Sequence, residues 1–252
     1  MSGFTDYNDI EHFPCEVLRK NIKLGLLPEG YVDERAIQDV KSADLVGHRH
    51  IHLFAGIGGF ALGLARAGVG ENIRLLSGGF PCQDIATPGP KIGIAGARSG
   101  LWKHMFRLAS DIRSDYIIVE NSSDLSLRGL NVVLGDLARI GYDAQWQTVS
   151  AAALGGSHLR RRCLIVAYPQ RVGQSQSRFF RQDAYTQQAF QSIWQTTRAI
   201  DAIRRGTVPS LCRGAHGLPN RMDRLTALGN AIIPFIAEYV GRCIIVRESE
   251  IA

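Results

Sequence analysis

The chain has 252 residues, 45% of them hydrophobic and 21% charged, with a mean hydropathy of −0.03. This is the composition of one globular domain with room for a small appendage, and it excludes a disordered or fibrous chain. No apolar run approaches the ~18 residues of a membrane span, and the acidic, polar start does not read as a secretory signal, so a soluble cytoplasmic protein is expected. Cys15, Cys82, Cys163, Cys212 and Cys243 lie far apart with no CxxC pair, which suggests reduced thiols and neither a zinc site nor a disulfide framework. The net charge of +6 is unevenly spread. Residues 1–47 carry nine acidic and five basic side chains, whereas residues 151–224 hold twelve arginines, no lysine and only three aspartates. That asymmetry fits either a polyanionic partner for the C-terminal half or a solvated basic face.

In chain order, helical spacing is predicted over 14–24, then a buried strand over 50–54, a helix over 60–67 and a strand over 74–77. A helix over 101–112, a strand over 116–120 and a helix over 130–140 follow, then strands over 144–149 and 163–167. Gly68 and Gly141 supply helix stops. The alternation predicts an α/β, doubly wound, mostly parallel sheet. From residue 169 to about 218 the pattern changes to glutamines, arginines and aromatics, read as a small lobe in which Phe179, Phe180, Tyr185, Phe190 and Trp194 build a minor core. Apolar helical spacing resumes over 225–245.

Four segments carry candidate chemistry. Phe54-Ala55-Gly56-Ile57-Gly58-Gly59 follows a strand and opens a helix, where glycines permit a tight turn and close approach of a ligand; a plain strand-to-helix turn uses glycine as well. Gly78-Gly79-Phe80-Pro81-Cys82-Gln83 presents a lone thiol at the carboxyl edge of the sheet, as a nucleophile or as an inert core cysteine. Ile117-Ile118-Val119-Glu120-Asn121-Ser122 ends an apolar strand in a carboxylate that desolvation would keep protonated near neutrality. His158-Leu159-Arg160-Arg161-Arg162 sends alternate arginines to one side of a strand.

In this order, FAGIGG, GGFPCQD, VENS, HLRRR and ALGNAIIP (Ala227 to Pro234) resemble motifs I, IV, VI, VIII and X of the DNA cytosine-5 methyltransferase family, over roughly residues 50–168 and 214–245. The resemblance implies a Rossmann-like methyltransferase fold. It also implies transfer of methyl from S-adenosylmethionine to C5 of a cytosine flipped out of double-stranded DNA. In that scheme Cys82 adds to C6, Glu120 holds N3, and Arg162 with Arg160 binds the base carbonyl and a neighbouring phosphate. Around S-adenosylmethionine the resemblance places Phe54, Ala55, Gly56, Ile57, Gly58, Gly59, Pro81 and Asn230. A monomer is expected, cytoplasmic and associated with the nucleoid through DNA. A catalytically silent DNA-binding decoy and a tRNA cytosine-5 methyltransferase stay open as alternatives.

The sequence also departs from the family pattern. Two strand-helix units are expected between motif I and the nucleophile, yet only residues 69–73 separate the first helix from the next strand, and a single crossover needs at least ~10–12. Residues 1–47 offer the missing units: Tyr7-Asn8-Asp9-Ile10-Glu11-His12-Phe13 is similar to motif II, with Asp9 and Ile10 toward the ribose end of the cofactor, and Val32-Asp33-Glu34-Arg35 to motif III, with Asp33 toward the adenine amino group. The expectation is a rearranged chain in which motifs II and III precede motif I; the alternative is an appendage on a crippled cofactor site. Ala86, His158 and Arg161 replace residue types common in the family. The expected organisation is a catalytic domain over 1–168 with the relocated segment at 1–47, a target-recognition lobe over 169–214, and a C-terminal return over 215–252.

Overall fold

The structure is a computed structural model and describes residues 5–81, 99–150, 161–170, 179–180 and 232–251. Its strands are β1 (Thr5–Asn8), β2 (Gly30–Asp33), β3 (His50–Leu53), β4 (Leu75–Gly78), β5 (Tyr116–Ser122), β6 (Tyr142–Ser150) and β7 (Arg161–Pro169). The helices are α1 (His12–Lys23), α2 (Gly59–Ala67), α3 (Trp102–Ile112), α4 (Leu125–Arg128), α5 (Leu130–Arg139) and α6 (Pro234–Ile251). The strands form one sheet in the order β2-β1-β3-β4-β5-β7-β6. β7 runs antiparallel to both its neighbours, and the pairs among β1 to β5 are parallel. The fold is therefore the expected doubly wound α/β sheet.

Two apolar layers sandwich this sheet. On one face Ile51, Leu53, Leu76, Ile117, Val119 and Ile165 meet Met105, Leu108 and Ile112 of α3 and Val133 and Leu137 of α5. The buried residues of α3, Trp102, Met105, Leu108, Ala109 and Ile112, recur every three or four positions, which gives the helix a single apolar stripe. On the opposite face Leu75, Ile118, Leu164 and Val166 pack under α2 and α6, while Tyr7 and Val32 pack under α1 with Leu18 and Ala61. Helices α2 and α6 cross closely because both are notched: a β-carbon at Gly63 would lie 2.3 Å from the Pro234 carbonyl oxygen, and one at Gly241 would lie 2.6 Å from Ala67.

The predicted strands and helices from residue 50 to 167 are present with ends shifted by a few residues. Two strands that apolar patterning did not mark, β1 and β2, lie at the N-terminus. β1 is buried although three of its four residues are polar, and it lies between β2 and β3. Phe179 and Phe180 differ from expectation. They join the main core, with Phe179 against Tyr116 and Tyr168 and Phe180 against Tyr239, because these rings offer the larger apolar surface. The rest of the 169–214 lobe lies outside the described residues. α6 runs to Ile251, and the part of the predicted 225–245 helix before residue 232 also lies outside them. No helix among the described residues is long and apolar enough to cross a membrane.

Register aligns the carboxyl ends of the strands. Asn8 pairs with both Asp33 and Leu53, Leu53 with Gly78, and Gly78 with Val119. One residue further on, Asp9, Phe54, Gly79 and Glu120 stand along a single edge. The chain leaves β1 toward β2 and leaves β3 toward β4, so the crevice between β1 and β3 is the topological switch point where such sheets take ligands.

Candidate active site

At the β1–β3 crevice the glycine loop is fastened to β1. Gly56 N–H donates to Asp9 Oδ2 at 2.8 Å, Ala55 N–H donates to the Asn8 carbonyl at 2.9 Å, and Asp9 Oδ1 accepts from Glu11 N–H at 2.9 Å. Burial raises the Asp9 pKa despite these backbone donors. The three glycines differ in purpose. A β-carbon at Gly58 would press on Leu27 at 2.6 Å and one at Gly59 on the Ile232 carbonyl oxygen at 2.3 Å, whereas Gly56, with φ +54°, faces open space. Its backbone is thus approachable from outside the protein. Ile10, 63% exposed, lies next to Asp9 in the chain. Asp33, at the end of β2, is buried and already engaged: Arg35 Nε donates to both carboxylate oxygens, at 3.0 and 3.1 Å, and Nη2 donates to Oδ2 at 2.8 Å.

Two strands away the chemistry is different. Glu120 is only 7% exposed, and desolvation pushes its carboxyl up to about 7, against the opposing pull of Arg162. Arg162 Nε lies 2.5 Å from Glu120 Oε1 in a close ion pair. The other oxygen, Oε2, would be 2.7 Å from a β-carbon at position 79; Gly79 is what allows the β4 loop to pass the carboxyl group. The same loop is tied from the next residue of β5, because Asn121 Nδ2 donates to the Phe80 carbonyl at 2.9 Å. The Phe80 ring packs on Trp102, centroids 5.8 Å apart, and Trp102 Nε1 donates to Asp136 at 2.7 Å. Phe80 is therefore held at the Glu120 end of the edge, two residues before Cys82 in sequence.

Of the sequence candidates, the structure brings Glu120 and Arg162 into contact and sets Gly79 beside Glu120, with Pro81 following in the same loop. It separately joins Phe54 to Gly59 with Asp9. Cys82, Arg160 and Asn230 lie outside the described residues, as do Ala86 and His158. Among the described residues, His12, Glu16 and Glu34 bring potential metal-ligating atoms within 4.8 Å of one another. They are largely exposed, and Arg19 forms ion pairs with both glutamates.

A family model for C-5 cytosine-specific DNA methylases matches residues 69–206, more than half of the sequence. The chain belongs to this family. Over 98 residues the chain is 32% identical to the Type II methyltransferase M.CviJI of Paramecium bursaria Chlorella virus IL3A, and over 113 residues it is 31% identical to M.Sau3AI of Staphylococcus aureus. These alignments cover 38% and 41% of this chain but 27% of each relative, so the chain spans little more than a quarter of the length of these curated relatives. A crystal structure of a DNA modification methyltransferase encoded within an Escherichia coli prophage superposes with a TM-score of 0.54 at 12% identity, covering 97% of this chain and 92% of that one. That likeness shows the shared fold.

Sequence reasoning named the VENS and GGFPC segments without assigning Asn121 or Gly79 a task. The signal was present in the motifs, but the tasks depend on β4 and β5 being neighbours. Arg35 and the Trp102–Asp136 pair carried no signal at all, since their roles are fixed only by long-range packing.

Proposed function

We propose that the chain is a DNA cytosine-5 methyltransferase that uses S-adenosylmethionine as methyl donor and acts on a cytosine turned out of double-stranded DNA, through a transient bond to Cys82. The observation that carries this reading is the desolvated Glu120 carboxyl group, held against Arg162 and given room by the missing side chain of Gly79, three residues before Cys82 in sequence. Cytosine C5 is a weak nucleophile, and a thiolate added at C6 makes it an enamine carbon able to attack an electrophile. Glu120, with a pKa near 7, is suited to hold a proton at N3 as electron density builds there. Arg162, assisted by Arg160, would present planar donors to the ring carbonyl oxygen and a neighbouring phosphate. Loss of the C5 proton with expulsion of the thiolate then restores the aromatic ring. Turning the base out costs a few kcal/mol of stacking, and the arginines of residues 151–224 supply charge to hold the flanking phosphates.

The residues present at the β1–β3 crevice fit the methyl donor. Phe54 to Gly59 offers an open backbone at Gly56, Asp9 retains acceptor capacity on both oxygens for ribose hydroxyls, and Ile10 offers an exposed apolar surface. Pro81 and Asn230 complete the assignment. Arg35 fills both oxygens of Asp33, so an adenine amino group would reach that carboxylate by displacing one of the Arg35 contacts. When bound, S-adenosylmethionine supplies an electrophilic methyl group on its sulfonium. In this reading motifs II and III are β1 and β2 with their following residues, so residues 1–47 complete the cofactor side. The 169–214 segment is assigned to target recognition.

The test is incubation with S-adenosylmethionine labelled in the methyl group and either duplex DNA or tRNA. Label in cytosine of the DNA is the expected result. Label in tRNA alone would replace DNA as the substrate, and DNA binding without transfer to either would make the chain a decoy.

A further inference from the structure

Among the described residues, buried side-chain polar atoms with no hydrogen-bond partner fall into two groups. Those on Asp6, His48, Arg74 and Ser114 lie toward the amino ends of the strands, whereas Glu120 Oε1 and Ser122 Oγ lie at the carboxyl end of β5. The second pair is local. Glu120 and Ser122 are two residues apart on one strand, which puts them on the same face. The antiparallel register sets Ser122 directly opposite Arg162, at the short separation of cross-strand neighbours. The Ser122 backbone N–H is occupied by Asn121 Oδ1 at 2.8 Å, while its hydroxyl is shut from water with nothing to bond. A hydroxyl in that state destabilises the fold unless a ligand satisfies it.

The chemistry of the neighbours limits what that ligand presents. Arg162 has only donors, so a group meeting it must be an acceptor, and a carbonyl oxygen has a second lone pair for another donor. We infer that Ser122 is a further substrate-contacting residue, its hydroxyl donating to the ring carbonyl oxygen of the extruded pyrimidine beside Arg162. The inference rests on the proposed base-flipping methyltransferase activity and adds a specificity contact to it.

The test uses the full chain and a duplex whose methylated position has first been mapped by bisulfite sequencing, made with either cytosine or 2-thiocytosine at that position. Sulfur is a far poorer acceptor than oxygen. Ser122→Ala is expected to lower kcat/KM about tenfold on cytosine and less than twofold on 2-thiocytosine, with Ser122→Thr recovering most of the loss by keeping the hydroxyl. Its Tm is expected to stay level or rise, because an unsatisfied hydroxyl has been removed, whereas a structural role would lower it. An equal loss on both bases, no loss on cytosine, or a lowered Tm overturns the Ser122 contact while leaving the methyltransferase reading intact. A wild-type chain that transfers no label to any DNA overturns both.

Discussion

The two ends of the carboxyl edge are built on opposite principles. At the β1–β3 end each Asp9 oxygen has a backbone donor and the glycine loop is fastened to its neighbour strand. At the β5–β7 end a carboxyl and a hydroxyl sit dry and incompletely bonded beside an arginine. The first arrangement has its carboxylate and loop already bonded to one another. The second carries an unfavourable desolvation that, in the proposed function, a substrate with complementary atoms would relieve at the reacting centre. One sheet thus supplies a settled shelf and a poised pocket, separated by β4.

Substitutions at the two ends should therefore fail in different ways. The largest effect is expected from Glu120→Gln, which keeps the shape but removes the titratable proton: kcat for label transfer should fall by about 10²–10³, while the Kd for S-adenosylhomocysteine, measured by calorimetry, stays within twofold. A parallel loss of cofactor affinity would erase the distinction between the two ends. Asp9→Ala should do the reverse, weakening S-adenosylhomocysteine about 10- to 100-fold, or about 1.4–2.8 kcal/mol, by releasing Gly56 as well as removing acceptors. Unchanged affinity would detach residues 1–47 from the cofactor role.

The smallest effect is on stability. Glu120 and Asp6 both have carboxyl pKa values raised to about 7 from 4.5 and 3.8, by burial in each case, with Asp33 and Asp44 adding repulsion at Asp6. The folded state then binds more protons than the unfolded one between about pH 4 and 7, and each group's contribution is present below that window and lost as the pH rises through 7. The buried His50 and His52 and the partly buried His48 have lowered pKa values and act in the opposite sense. Each variant is accordingly compared with wild type: the stability of Glu120→Gln or Asp6→Asn relative to wild type should grow from pH 5 to pH 8 in urea unfolding. A difference that is flat with pH would mean that these carboxyls are not protonated in the fold.

Legibility followed the physics of burial. β3 to β7 and the helices α2, α3 and α5 between them were readable because apolar periodicity reports a face packed on a core, as in α3 and in the Tyr116–Val119 run; the single turn of α4 was not. β1 was not, since Thr5, Asp6 and Asn8 are buried polar residues satisfied in part by tertiary contacts such as Asn8 Nδ2 donating to the Arg35 carbonyl at 2.8 Å. The reversed direction of β7 leaves no trace in its apolar run over 163–168. At the site, residue types in motifs were legible and their dependencies were not: nothing local to Gly79 says that its missing side chain makes room for Glu120.

The central claim is that Cys82 forms a bond to cytosine C6 during turnover. The direct measurement is denaturing electrophoresis of the chain incubated with S-adenosylmethionine and a duplex carrying 5-fluorocytosine at the mapped position. Fluorine cannot leave as a cation, so the final elimination is blocked. A DNA–protein band that survives denaturation, is absent in Cys82→Ala, and maps by mass spectrometry to the peptide containing residue 82 is the predicted result. Methylation of ordinary cytosine with no such band, or a band that persists in Cys82→Ala, would contradict it.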